Sequence, residues 1–198
     1  MQNRILSLQF LFGALIVLIA CVAGFLLWTH RYLFDPKPPS RLFGLDELLI
    51  TQDVIPLWKT SDPFFPAGVD LCTTKCIAIH FGTKEGYLGA LATQYIYQYG
   101  TSGIAQRTFD YEYENKDELY LLVNDWDYQD INAQQTFFGC HYMAGQVRQA
   151  CLWAGRYDEY IVEFLTTIVP GEMELANIEN VVRAIDTKMA TYLGSTLP

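Results

Sequence analysis

The sequence predicts an α+β protein in which an N-terminal transmembrane helix precedes an antiparallel sheet of about five strands, covered by two helices. Three observations lead to this prediction. Residues 5–28 carry no charged side chain, and about 20 apolar residues suffice to cross a bilayer. Stretches rich in β-favouring residues then alternate with turn-forming residues. Two further stretches place apolar residues at helical spacing.

The charge-free run is predicted to form an uncleaved anchor within residues 1–34. It exceeds the about 7 to 15 apolar residues of a signal peptide. Residues 18–21 resemble a lipoprotein lipobox, but strongly apolar sequence continues after Cys21. Small side chains let membrane helices approach closely, so this helix is expected to pack on partner helices in the bilayer. Its small residues are Gly13, Ala14, Ala20, Cys21, Ala23 and Gly24.

The charges beside the span and the cysteines predict opposite orientations. Lys and Arg collect on the cytoplasmic side of a membrane, and Arg31, Lys37 and Arg41 follow the span whereas Arg4 precedes it. This asymmetry favours a cytoplasmic domain. The disulfides predicted below need an oxidising compartment, and we give them more weight. We therefore expect a single-pass cell-membrane protein whose C-terminal domain is periplasmic or external.

A proline-rich linker, residues 35–41, is predicted to separate the anchor from one domain, residues 42–198. Proline cannot continue a helix and favours an extended spacer. The residues after Arg41 include 21 acidic and 9 basic side chains, a formal charge of −12. This charge argues against a nucleic-acid partner, whereas a basic soluble protein is electrostatically compatible.

The first half of the domain is predicted to contain two strands, a helix and a third, short strand. Apolar residues alternate over residues 76–81, which is typical of a half-buried strand. Residues 92–99 are rich in β-favouring types. Thr101 or Ser102 is placed to cap a helix over residues 104–113. A short apolar strand is expected at residues 119–123.

A loop is predicted over residues 60–68, because proline, glycine and aspartate recur there. Phe64 and Phe65 lie within it. We expect both rings in the core. The alternative is an exposed contact for a partner or for lipid.

The second half of the domain is predicted to contain a hairpin, a strand and a long helix. The hairpin arms are residues 137–143 and 148–154, and residues 160–168 form the next strand, which ends before Pro170-Gly171. Residues 178–192 place apolar side chains at helical spacing. This order of elements favours an antiparallel sheet with helices on at least one face, and it resembles the α+β sandwiches related to the photosystem accessory protein PsbP.

The hairpin places two cysteines opposite each other. If its turn is centred on Gly145 and Gln146, Cys140 faces Cys151 across the two strands. Opposed Cα atoms in an antiparallel pair are about 4.5 to 5.5 Å apart, a distance that suits a disulfide. The sequence therefore predicts the disulfide Cys140–Cys151.

Cys72 and Cys76 are predicted to form a second disulfide just before the first strand, although four cysteines allow three connectivities. The alternative is a zinc site, because Cys72, Cys76 and His80 recur every four residues. That site would need helical geometry and a cytoplasmic domain, whereas the alternation in residues 76–81 predicts a strand. No metal is expected here.

An acidic segment spans residues 110–130, with eight carboxylates and one lysine. A solvated acidic face is the expected role, and a docking face for a basic soluble protein is the alternative. Calcium binding is disfavoured, since an EF-hand loop would need Gly at Asp130 and Glu at Thr136. The residues of this docking face would be Asp110, Glu112, Asp125, Trp126, Asp127 and Asp130.

The sequence carries no catalytic or cofactor motif. It lacks a CxxCH haem site, a Walker A loop, a GxSxG elbow and an HExxH pair. Structural roles are expected for His30, His80 and His141. We therefore expect no enzymatic activity, no cofactor and no catalytic residues.

The expected function is that of an accessory subunit of a larger membrane complex, with other membrane subunits and the bilayer as partners. In size and plan the chain resembles the single-span accessory subunits of bacterial respiratory and photosynthetic electron-transfer complexes, such as alternative complex III. The alternative is a stand-alone anchored sensor or ligand-binding domain, which would need a roomy pocket.

Overall fold

The computed structural model describes residues 14–26, 35–56, 58–66, 75–82, 91–113, 126, 128, 132–142 and 149–194. The chain divides into two compact units, Met1–Pro36 and Lys37–Pro198. This division falls within the predicted linker.

In the first unit, residues 14–26 form helix α1, and every one of these residues is exposed. Among the described helices, none is both long enough and apolar enough to cross a membrane. The described helix is therefore shorter than the predicted span. The rest of that span, residues 5–13 and 27–28, lies outside the described residues, as does Gly13.

The second unit is built on a six-stranded sheet in which all neighbours are antiparallel. The spatial order is β1-β2-β3-β6-β5-β4. The α+β class and the antiparallel sheet are thus confirmed. The strands are β1 (Lys59–Thr60), β2 (Lys75–Gly82), β3 (Ala92–Gln98), β4 (Gln135–Tyr142), β5 (Gln149–Tyr157) and β6 (Tyr160–Thr167).

Two helices pack on opposite faces of the sheet. Helix α3 (Leu175–Gly194) buries its apolar stripe in the larger core, beside two short 3-10 helices, Asp46–Leu48 and Gln52–Val54. Helix α2 (Ser102–Tyr113) packs in a smaller core on the other face. Both helices lie close to their predicted positions, since their apolar spacing marks the buried stripe.

One strand was missed and one predicted strand is untested. Strand β1 has two residues, Lys59–Thr60, too few for an alternating pattern to be recognised. Farther along the same edge, Phe64 exchanges backbone hydrogen bonds with Ala78 of β2. The strand predicted at residues 119–123 lies outside the described residues.

The hairpin of β4 and β5 has the register that the sequence predicts. Cys140 lies opposite Cys151, and His141 lies opposite Ala150. The two cysteines form a disulfide, with Cα atoms 4.0 Å apart. Both residues are fully buried in the larger core. The predicted disulfide is therefore confirmed.

Replacing Cys140 and Cys151 together by alanine is expected to lower the free energy of unfolding of the Lys37–Pro198 unit by about 3 kcal/mol. The bridge closes a loop with a sequence separation of 11, and breaking it frees the unfolded chain. Urea unfolding of the full chain, followed by tryptophan fluorescence, measures the change in the free energy of unfolding. Cys21→Ala is the control, because Cys21 is a free cysteine. An unchanged midpoint in the double variant would contradict this account.

Gly155 of β5 allows the Trp153 indole to lie against the strand. A Cβ at Gly155 would stand 2.6 Å from the nearest indole carbon, and Trp153 is only 1% exposed. Gly155→Ala is therefore expected to cost about 1–3 kcal/mol through overpacking. The matched control is Gly194→Ala at the end of α3, where an added Cβ meets nothing within 4 Å. Equal stabilities of the two variants would show that the indole shifts freely.

Candidate functional site

The last residue of the linker, Arg41, forms a buried ion pair with the domain. Arg41 donates from Nε to Oε1 of Glu159 at 2.8 Å and from a terminal nitrogen to Oε2 at 2.9 Å. The same nitrogen lies 3.4 Å from Asp158 Oδ2. The side chains of Arg41 and Glu159 are 6% and 1% exposed. This two-pronged contact, which we call the linker clamp, fixes the end of the linker to the turn between β5 and β6.

The linker clamp has further support from the sheet. Its bond to Glu159 raises the pKa of Arg41, so the guanidinium remains charged. Tyr99 donates its backbone N–H to the Glu159 carbonyl at 2.8 Å. The turn itself contains Asp158 with a φ of 49°, a left-handed conformation that aspartate tolerates better than most residues. The clamp therefore joins the linker, the end of β3 and the β5–β6 turn.

An open pocket lies beside the linker clamp. Its volume is about 350 Å³. We call it the linker pocket, because one wall is the linker itself and the other comes from the start of β2 and the end of β3. It is lined by Lys37, Pro38, Lys75, Gln98, Tyr99 and Gly100.

A second buried carboxylate lies under helix α2. Glu163 is 8% exposed, and it accepts hydrogen bonds from the hydroxyl groups of Tyr97, at 2.9 Å, and of Tyr113. Burial, together with the Glu163 charge, raises the pKa of both tyrosines. Tyr113 is the last residue of α2, so the carboxylate ties this helix to the sheet.

Two further buried charged residues, Asp186 and Arg156, form hydrogen bonds that connect different segments of the fold. Asp186 of α3 is 2% exposed. It accepts hydrogen bonds from the Asn132 amide at 2.7 Å and from the Tyr157 hydroxyl at 3.1 Å. Arg156 is 8% exposed and donates to the Gln134 and Gln135 side chains. Burial lowers the pKa of Arg156.

The two histidines in the sheet lie far apart. His80 is on β2 and His141 is on β4, with three strands between them. The His80 ring lies 2.8 Å from the Thr93 hydroxyl and against the Phe64 ring. Burial lowers the pKa of His80. This arrangement agrees with the structural role predicted for His80.

The zinc alternative at residues 72–80 does not fit the structure. Cys76 is disulfide-bonded, so its sulfur is not available as a thiolate ligand. His80 is on the same strand rather than on a shared helix face. The predicted partner Cys72 lies outside the described residues. In the part of the chain that the structure describes, no three His, Cys, Asp or Glu side chains form a metal-binding group.

The predicted docking face is described only in part. Asp110 accepts a hydrogen bond from Gln135 at 2.6 Å, which links α2 to β4. The Trp126 indole stacks on Phe138, with ring centroids 3.9 Å apart, and therefore contributes to packing. Glu112 is half-buried on α2. Asp125, Asp127 and Asp130 lie outside the described residues.

Within the part of the domain that the structure describes, four large apolar or aromatic side chains are strongly exposed. Leu42, next to the linker clamp, is 97% exposed, and Phe65 is 79% exposed. The expectation that Phe65 belongs to the core was wrong, because only its neighbour Phe64 packs on the sheet. Tyr111 and Tyr142 are 77% and 66% exposed. Of the residues predicted to pack in the membrane, Ala14, Ala20, Ala23 and Gly24 are exposed along α1.

The chain matches no model of a known protein family. A search of curated proteins likewise finds no significant match.

Proposed function

We propose that the protein is a non-catalytic accessory subunit of a larger membrane complex, carried on a single-pass anchor with its domain outside the cytoplasm. The observation that carries this proposal is how the domain uses its buried charges. Glu159, Glu163, Asp186 and Arg156 each hold two parts of the fold together. An active site would instead aim a buried titratable group into a cleft.

The linker clamp supports a positioning role. A flexible tether leaves a domain free to rotate, whereas a buried two-pronged ion pair holds the last linker residues in one geometry. Arg41 makes this contact immediately before the strongly exposed Leu42. A subunit that must cover a fixed site on its partners needs its domain to be joined to the linker in one fixed geometry.

The exposed aromatic side chains support a protein partner. Tyrosine and phenylalanine are enriched at protein interfaces because they bury a large area at a small entropic cost. Phe65, Tyr111 and Tyr142 are exposed on an otherwise acidic domain. A basic protein surface would complement this charge. In size and plan, the chain fits the accessory subunits of respiratory and photosynthetic electron-transfer complexes.

Substituting small residues of α1 tests whether this helix packs against partner helices in the membrane. Ala20 and Gly24 are four residues apart and share one side of the helix. Ala20→Leu/Gly24→Leu would keep the helix apolar but prevent close approach of a second helix. The matched control is Ile19→Leu/Val22→Leu on the other side of the helix.

The experiment is native purification of the full chain in a mild detergent, followed by mass analysis of the proteins retained. The unmodified chain and the control variant are expected to retain stoichiometric membrane partners. The Ala20→Leu/Gly24→Leu variant is expected to lose them. An unmodified chain that purifies alone would contradict the accessory role.

A stand-alone ligand-binding domain is the second candidate function. The linker pocket, at about 350 Å³, is the observation that favours it, since ligand sites typically start at about 300 Å³. The pocket is open rather than enclosed, which suits a group attached to a larger molecule. A chain that purifies alone yet binds a small molecule in this pocket would favour this candidate over the first.

A further inference from the structure

The linker pocket combines two lysines that come from distant parts of the chain. Lys37 lies in the linker and Lys75 begins β2, and both line the same opening. Among the described residues, neither lysine side chain makes an ion pair or a hydrogen bond. Both residues are exposed, so their ammonium groups can turn toward a ligand. The fold therefore assembles a doubly positive pocket that neither segment forms alone.

This pocket differs from the surroundings of other basic side chains in the domain. Arg41 is neutralised by Glu159, and Arg183 pairs with Glu179. Lys188 donates to the Leu49 carbonyl. In a domain with a formal charge of −12 beyond Arg41, intramolecular partners for basic groups are plentiful. The side chains of the two pocket lysines lack such partners among the described residues, as does that of Lys59, but only Lys37 and Lys75 share one opening.

Carboxylates also act on the wall of the pocket. Burial, followed by the charges of Glu163 and Glu112, raises the pKa of Tyr99. Tyr99 lines the pocket and bonds to the backbone of Glu159, but the Glu159 carboxylate is already paired with Arg41. More distant carboxylates are screened, because the Debye length is about 8 Å at physiological ionic strength. Lys37 and Lys75 are therefore the cationic groups that the pocket offers to a ligand.

The neighbouring backbone contributes a partial positive charge beside the pocket. Gly100 lines the pocket, and α2 begins two residues later at Ser102. The N-terminal end of a helix carries a partial positive charge. Thr101 caps this helix by accepting from the Ile104 N–H at 3.1 Å. The helix end thus reinforces the lysines without being the site itself.

We propose that the linker pocket binds a phosphate group through Lys37 and Lys75. A phosphate oxygen accepts charge-assisted hydrogen bonds from ammonium groups, and lysine is a common phosphate ligand. The amide of Gln98 at the pocket wall offers a neutral polar neighbour. Because the pocket is open, the phosphate can be free or can belong to the head group of an anionic lipid. This site does not depend on the accessory role.

The experiment is calorimetric titration of the full chain, in neutral detergent where it requires one, with two probes. The first probe is inorganic phosphate. The second is dihexanoyl phosphatidylglycerol below its micellar concentration, compared with dihexanoyl phosphatidylcholine. Saturable binding of either anionic probe, without binding of the zwitterionic lipid, is the expected result. Preference for inorganic phosphate would identify a free ligand, and preference for phosphatidylglycerol would identify a lipid head group.

The variant Lys37→Ala/Lys75→Ala is expected to weaken binding of the anionic probe at least about tenfold, because it removes two charge-assisted contacts. Lys59→Ala is the matched control, since Lys59 is an exposed lysine of β1 that does not line the pocket. It is expected to bind like the unmodified chain. Absence of saturable binding to both anionic probes would overturn the proposal. So would equal weakening by the double variant and the Lys59 control.

Discussion

Arg41→Ala is expected to lower the free energy of unfolding of the domain by about 3–5 kcal/mol. The substitution leaves the Glu159 carboxylate, which is 1% exposed, without its two hydrogen bonds from the guanidinium. An uncompensated buried charge costs several kcal/mol because water can no longer solvate it. Urea titration of the full chain, followed by tryptophan fluorescence, measures the loss. This is one of the two largest effects expected for a single substitution.

Two comparisons isolate the cause of that loss. Arg183→Ala removes the exposed pair with Glu179 and the cation–π contact with Tyr128, and it is expected to cost at most about 1.5 kcal/mol. The double variant Arg41→Met/Glu159→Leu removes both buried charges and is expected to recover most of the stability. If the double variant were as unstable as Arg41→Ala, packing rather than the unpaired charge would explain the loss.

Glu163→Ala is expected to cost about 2–6 kcal/mol, since each buried hydroxyl left without an acceptor costs about 1–3 kcal/mol. Those hydroxyls belong to Tyr97 and Tyr113. Because Tyr113 is on α2, the helix should loosen before the rest of the domain. Hydrogen exchange would report the opening free energy of the α2 amides, and urea titration would report the global free energy of unfolding. A lower value for the α2 amides than for the whole domain is expected.

A graded series tests the same contact. Glu163→Gln retains one acceptor oxygen, so an intermediate loss is expected. Tyr113→Phe removes one hydroxyl and is expected to cost about 0.5–1.5 kcal/mol. Glu179→Ala, at a half-buried position on α3 where the side chain pairs with Arg183, serves as the control. If Glu163→Gln and Glu163→Ala were equally stable, the hydrogen bonds would not explain the effect.

The sheet could be predicted where local patterns determine it. The hairpin register followed from a period of two and a short turn, and Cys140 faces Cys151 as expected. The apolar spacing of α3 likewise marked its buried stripe. Strand β1 could not be found, because Lys59–Thr60 pairs with β2 through backbone groups that carry no side-chain pattern.

The linker clamp could not be predicted, because Arg41 and Glu159 are 118 residues apart. Glu159 lies in a turn, where a charged residue is ordinary, so nothing in the sequence marks it as buried. Glu163 did leave a signal, since it is the one charged residue within strand β6. A lone carboxylate between apolar neighbours in a strand predicts a buried hydrogen-bonded group. The pocket lysines carry no comparable local pattern.

The placement of the domain outside the cytoplasm is the claim on which the proposed function most depends, and the state of its thiols in cells tests it directly. Cells are lysed directly into denaturant that contains an alkylating reagent, so that buried free thiols are also trapped, and the intact protein is then weighed without reduction. We expect Cys140 and Cys151 to remain unmodified as a disulfide and to become alkylated only after reduction. Alkylation of both cysteines before reduction would place the domain in a reducing compartment and contradict the account.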